Sequence, residues 1–327
     1  VFVLTLIKEK FMKNVSRYLI ALALAAMSLG SWATYPTKTV KIIISLPVGS
    51  GPDIQARRAA EVLSEKWNQP VVVDNRPGAS GLIAMDTLLK EPADGHAVAI
   101  FSVGDIVAFP ILHNRPELIN NIEPLVPFFT ADMMLFTSSQ IKTIVELRQE
   151  IQKNPMYGSW AVGSIGHVAG AEFGSTVTPG ATHVPYKEYG AWYIDTSNRV
   201  LSYGFTSPGS GNAMYRSGKI HYLAIAANRR DPKFPDVPTI RELTGENIVA
   251  QSWLAFYVNQ GVNEATKRRL ETDIREAIAT PRVQNMISDN YFIPLNHLSL
   301  NEFRKQIAKD KENYVTVLNK HKINIKP

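Results

Sequence analysis

The sequence predicts an α/β protein of two lobes, each a mixed, mostly parallel sheet flanked by helices. Three observations predict it. The chain has 327 residues, more than one hydrophobic core comfortably serves and well suited to two packed lobes. β-branched runs alternate with stretches of helical spacing, as expected of strands covered on both faces by crossover helices. Short glycine-bearing loops join strand ends to helix starts, where open α/β sheets take their ligands. The composition, 45% hydrophobic and 20% charged, is that of an ordinary globular chain rather than a disordered or fibrous one.

At the N-terminus, Lys13 and Arg17 precede an apolar run from Tyr18 to Leu29, and Ser31-Trp32-Ala33 offers small residues for a signal peptidase. Residues 1–33 therefore read as a signal peptide cleaved after Ala33, which implies an extracytoplasmic protein. The start is expected at Met12, with residues 1–11 untranslated excess. The apolar run is short of the roughly 20 residues a membrane-spanning helix needs. Loss of residues 1–33 lowers the formal charge from +6 to +3. The remaining Lys and Arg are dispersed among acidic residues, so no basic stripe for nucleic acid is seen. With no cysteine, disulfides, thiol chemistry, zinc thiolates and iron–sulfur clusters are excluded, and stability must come from the core.

Val40 to Leu46 (VKIIISL) is a β-branched run stopped by Pro47, and Gly49-Ser50-Gly51-Pro52-Asp53 leads into helical spacing through Trp67. The unit repeats with a strand at Val71 to Asp74, a loop at Asn75 to Gly81 and a helix at Leu82 to Lys90. Ala97 to Ser102 is the third strand. Met133 to Thr137 reads as a strand, and Thr143-Ile144-Val145-Glu146 is a capping box. A second set follows: a strand at Tyr157 to Val162, a loop at Gly163 to His167 entering a helix, and strands at Thr182 to Pro185, Leu201 to Phe205 and Tyr222 to Ala226. Pro208 to Gly211 reads as a loop. Thr239 to Leu243 is helical and Gln251 to Val258 an aromatic-rich strand. Asn263 caps a helix, Pro281 opens another at a position where its missing N–H costs nothing, and a capping box at Ser299 starts the last. These terminal helices are expected to return to the first lobe. The expected division is 34–137 with 257–327 for lobe one and 138–256 for lobe two, with crossings near 137 and 256 acting as a hinge.

Three small-residue loops, Gly49 to Asp53, Asn75 to Gly81 and Gly163 to His167, expose backbone N–H groups at helix starts. Facing one cleft, they would make an anion site without a basic side chain. One such loop alone would as readily be a tight turn. Asp53 is expected to be a helix N-cap, or else to orient a bridging water. Arg76 is expected to brace its loop rather than meet a ligand. Enzyme readings fail on spacing. Ile54 stands where a dinucleotide fingerprint needs its third glycine, and no P-loop lysine appears. Val162 precedes Ser164 where a nucleophile elbow needs glycine, and Ser159 is followed by Ala161 rather than the second glycine. No two of His96, His113, His167, His183, His221, His297 and His321 are spaced i, i+4 for a zinc helix. His167 alone opens a cleft helix. No catalytic residue, metal or cofactor is expected.

Several segments in order, TYPTKTVKIIISLPVGSGPD, VVVDNRPGASG, EPADGHAV, GSWAVGSIGHVAGAEF, HVPYKEYG, SGKIHYLAIAANRRDPKFPDVPTIREL and SWLAFYV, resemble the substrate-binding receptors of tripartite tricarboxylate transporters, the Bug receptors. The resemblance covers about residues 34–327. It implies a type II periplasmic-binding-protein-like fold and a monomeric periplasmic receptor that captures a small carboxylate, an organic acid or amino acid, and delivers it to a membrane permease. A role as ligand-sensing partner of a membrane signalling protein stands as the alternative, with a secreted hydrolase behind it. Ligand contacts implied by the resemblance are Pro47, Val48, Gly49, Ser50, Gly51 and Asp53, then Ala79, Ser80 and Gly81, with Ser102 and Asp105 behind. The second lobe is implied to contribute Ser159, Gly163, Ser164 and His167. Departures from the family pattern fall at Ser50, Pro52, Ser80, Glu188-Tyr189 and Thr206. Pro52 removes an N–H and a hydroxyl together, which bears on ligand identity rather than on the fold.

Overall fold

A computed structural model describes residues 35–177 and 179–323; the expected signal peptide lies outside the described residues. β1 (Val40–Ile44) is buried at nearly every position because it lies between two parallel neighbours, β2 (Val71–Asn75) and β3 (Ala97–Ser102). A strand covered on both faces has no use for polar alternation. Between them run α1 (Gly51–Trp67) and α2 (Leu82–Lys90). A π-turn at Gly104–Ala108 and α3 (Phe109–Leu112) lead to β4 (Ile122–Asp132).

The chain then enters a second sheet through β5 (Met134–Ser138), α4 (Ile144–Lys153), β6 (Met156–Ser159), α5 (Ile165–Thr176), β7 (Thr182–Pro185) and α6 (Tyr189–Ser197). It continues through β8 (Tyr203–Thr206), α7 (Pro208–Arg216), β9 (Ile220–Ile225) and α8 (Ile240–Thr244). β10 (Gln251–Asn259), α9 (Glu264–Ile278), α10 (Pro281–Asp289), β11 (Ile293–Pro294) and α11 (Leu300–Lys320) complete the fold.

The first sheet has the order β11-β4-β10-β3-β1-β2 and the second β7-β6-β8-β5-β9. Both are mixed. β1 pairs in parallel with β2 and β3, and β6 with β7 and β8, whereas β10 and β5 run antiparallel to both of their neighbours. The antiparallel share is thus larger than the alternation of strands and helices predicts, because strands that follow a crossing enter their sheet from the other side.

The strand pairing puts the crossings at Met133, between β4 and β5, and at Ala250, before β10. The two are bonded side by side: Met133 N–H donates to Ala250 O at 2.9 Å, and Ala226 N–H to Met133 O at 2.8 Å. One core lies over the first sheet, with Ile43, Phe101, Tyr257, Phe303 and Leu318 in contact. The second sheet is covered on both faces, by Phe173 and Phe205 in one cluster and by Phe136 and Trp192 in another. The terminal helices return to the first lobe, α9 against α1 and β4, and α11 against β4. No described helix is long and apolar enough to cross a membrane.

Candidate functional site

A cleft of about 1310 Å³ lies between the sheets. One wall is the β1–α1 loop, Pro47, Val48, Gly49, Ser50 and Gly51, joined by Ala79 and Ser80. The β1–α1 loop is held from beneath. Ser50, in an extended conformation, is the N-cap of α1 and accepts from Asp53 N–H at 3.4 Å. Asp53 is therefore not the cap that its position suggested, but a third-position carboxylate turned back under the loop. It accepts from Gly49 N–H at 2.9 Å, from Asn75 Nδ2 at 2.9 Å and from Arg57 Nε at 3.1 Å. Burial pushes the Asp53 carboxyl up, but Arg57, the Gly49 N–H and Asn75 outweigh it and hold it below the usual range. With its oxygens thus engaged, Asp53 braces the cleft wall without lining it. Gly51 opens α1 with an N–H that has no acceptor within the helix, at the positive end of the dipole.

In the second loop, Ala79 (φ 43°) and Ser80 (φ 51°) both adopt left-handed backbone and face the cleft. Consecutive non-glycine residues in this region are uncommon. Gly81 sits behind them, since a Cβ there would lie 1.9 Å from Asp105 Oδ1. Asp105 is fully buried and accepts from Ser102 N–H at 2.7 Å and Ser102 Oγ at 2.6 Å. Burial pushes its carboxyl up to about 6, even though these hydrogen bonds pull it down. Arg76 pairs with Asp74 at 2.9 Å and braces its own strand end.

On the second lobe the structure departs from expectation. Ser159, Gly163, Ser164 and His167 do not line the cleft; they form a buried network behind it. Ser164 caps α5 through His167 N–H at 3.3 Å, and Ser159 Oγ bonds Ala161 O at 2.9 Å and His183 Nε2 at 2.8 Å. The Gly163 N–H, the donor expected to face a ligand, is taken by His167 Nδ1 at 3.0 Å. The His167 and His183 rings stack at 3.5 Å. Burial, then the His183 and His321 charges, push His167 down to about 2, and burial pushes His183 down to about 4. Both rings are neutral at neutral pH.

What this network presents to the cleft is the segment it anchors, Trp160, Ala161 and Val162. Trp160 meets Phe109 of the first lobe edge to face at 5.7 Å. Tyr186, Lys187, Tyr189, Ser210 and Arg216 complete that wall. For Trp160 the sequence signal is a large aromatic set among small residues, and Tyr186-Lys187 follows Val184-Pro185 at a strand end, a place either exposed or facing the cleft.

Beyond Trp160, Tyr189 and Ser210, which line both spaces, a deeper chamber of about 50 Å³ opens between the sheets. Ser102 lines it, together with Pro52, Phe129, Phe205, Thr206 and Phe292. Among the described residues no group of three or more His, Asp or Glu is arranged to hold a metal ion.

The sequence model of the tripartite tricarboxylate transporter family receptor matches residues 55–322. The chain belongs to this receptor family. A UPF0065 protein of Bordetella pertussis is 29% identical over 283 residues, covering 85% of this chain and 87% of that one. Protein BugT of the same organism is 27% identical over 258 residues, covering 76% and 79%. Among solved structures, the periplasmic binding protein BugD superposes with a TM-score of 0.81 at 19% identity, over 89% of the receptor and 99% of BugD. MatC of Rhodopseudomonas palustris, solved with malate, gives 0.78 at 20% identity over 87% and 100%. These similarities show that the receptor has the two-lobed periplasmic-binding-protein fold, and its family is one of receptors.

Proposed function

We propose that this receptor is periplasmic, captures a small carboxylate between its lobes and delivers it to the membrane permease of a tripartite transporter. One observation carries the binding part: the cleft is walled on one side by the helix start at Gly51, whose N–H has no acceptor within the helix, and by the Ala79–Ser80 turn, and on the other by the Trp160–Val162 segment with Lys187, Glu188 and Arg216. An anion set there meets a helix start whose loop is already braced by Asp53, so few groups must reorganise on binding. Similar folds solved with malate and adipate support the ligand class. Delivery to a permease rests on the family.

We assign the first lobe to residues 38–132 and 251–323 and the second to 134–249, with the bonded pair Met133 and Ala250 as the hinge. Thermal denaturation of the purified protein against organic acids, amino acids and aromatic carboxylates tests the binding role. A ligand that binds only the folded form raises Tm by mass action, so at least one acid is expected to raise it by several degrees. A panel that moves Tm nowhere overturns the proposal.

A further inference from the structure

The inner chamber differs chemically from the cleft that leads to it. Lys187, Glu188 and Arg216 line the outer cleft, whereas not one Asp, Glu, Lys, Arg or His lines the chamber. Its wall is apolar and largely aromatic: Phe129, Trp192, Phe205, Leu254, Phe292 and the ring of Pro52. Pro52 stands in the first turn of α1, so this helix start turns carbon rather than a donor toward the chamber.

Three of the chamber hydroxyls are held within the protein, while those of Tyr189 and Ser252 also line it without such a bond among the described residues. Ser102 Oγ donates to Asp105 at 2.6 Å, Thr206 Oγ1 bonds the Tyr193 hydroxyl at 2.6 Å, and Ser207 caps α7 and bonds Ser210 Oγ at 2.9 Å. A carboxylate pushed into this space would lose its water and find no cation, only the neutral hydroxyls of Tyr189, Ser210 and Ser252 among apolar walls, which is costly. An alkyl or aryl group would find mainly aromatic and aliphatic contacts. The charged head of a bound acid therefore belongs in the outer cleft against the glycine loops, and its other end in the chamber.

Resting on the carboxylate reading above, we infer that the ligand is a monocarboxylate whose far end is compact and apolar, and that di- and tricarboxylates are selected against. At about 50 Å³ the chamber has room for about three or four water-sized spheres, which suits a short alkyl or branched end and admits a ring only as the lobes part.

Calorimetric titration of the purified protein with matched pairs, valerate against glutarate and benzoate against terephthalate, tests this. At least one monocarboxylate is expected to bind tenfold or more tightly than its dicarboxylate partner. Its binding heat capacity is expected to be negative and to grow in magnitude from butyrate to hexanoate, the mark of apolar burial. Leu254→Ser is expected to weaken the preferred monocarboxylate several-fold. Dicarboxylates that bind as tightly as their partners overturn the inference and leave the carboxylate receptor standing. A protein that binds no acid of any kind overturns both.

Discussion

Asp105 shows how one residue links the site to its fold. Its carboxyl lies under Gly81, at the base of the Ala79–Ser80 turn, and bonds Ser102 at the end of β3. Its folded pKa, about 6, lies above the roughly 3.9 of an unfolded aspartate. The folded chain therefore holds the proton more tightly, and folding takes one up between these values. This contribution is full below about pH 4, falls as pH rises through 6 and is absent above it. Two units correspond to roughly 2 to 3 kcal/mol. Asp105→Asn, which keeps an oxygen for Ser102, is expected to abolish this slope; denaturant unfolding from pH 4 to 7 measures it, and a slope that survives in the variant assigns it to another group. Legibility at this scale was uneven. Gly49 to Gly51 and Ala79 to Ser80 could be read as cleft residues because small residues at a strand–helix junction have a local meaning, whereas Pro47 and Val48 followed from the family resemblance alone. Ser159, Ser164 and His167 carried the same local signal but face inward, and the partner that turns them there, His183, comes 16 residues after His167.

Among the elements, the helices were the most legible, because their ends are encoded by neighbours in sequence. The capping box at Ser299 is present in full: Ser299 Oγ accepts from Glu302 N–H at 3.2 Å, and Glu302 accepts from Ser299 N–H at 2.9 Å. α11 packs on β4 and also reaches the second lobe, where Lys320 and His321 bond Glu172 at 2.6 and 2.5 Å. Ser299→Ala is expected to cost about 1 kcal/mol, seen as a Tm lower by roughly 2 °C with ligand affinity unchanged; an unshifted Tm would mean that this first turn is already frayed. β4 shows the opposite case. It is the longest strand, yet Pro124 and Pro127 argue against a strand when only the sequence is read. They are tolerated because its register against β10 slips twice, between Leu254 and Ala255 and between Phe256 and Tyr257. α7 was hidden in a similar way. Pro208-Gly209-Ser210-Gly211 has loop composition, but Ser207 caps it and Pro208 occupies a helix start, where proline fits.

At the scale of the whole molecule, one contact lies beside the cleft between the two proposed lobes, and closure about the proposed hinge would act on it directly. Gly209, in the first turn of α7, approaches the segment between α10 and β11 so closely that a Cβ there would lie 2.2 Å from Asn290 O and 2.8 Å from the Phe292 ring. Nearby, Arg216 Nη2 donates to the Tyr291 hydroxyl at 3.0 Å and Lys233 lies over the Tyr291 ring. All of these pair the second lobe with the first. A Cβ cannot stay 2.2 Å from a backbone oxygen, so an alanine here forces the lobes apart or the 290–292 segment aside. Within its own lobe the same alanine does no harm, because alanine favours a helix more than glycine does by up to about 1 kcal/mol. Gly209→Ala should therefore weaken the preferred acid tenfold or more, the equivalent of about 1.4 kcal/mol of closure energy, while the protein still folds with a cooperative thermal transition. Calorimetry gives the affinity, and small-angle scattering with saturating ligand should show a radius of gyration that shrinks less than in the wild type. Undiminished affinity together with full compaction would place this contact outside the ligand-bound closed form.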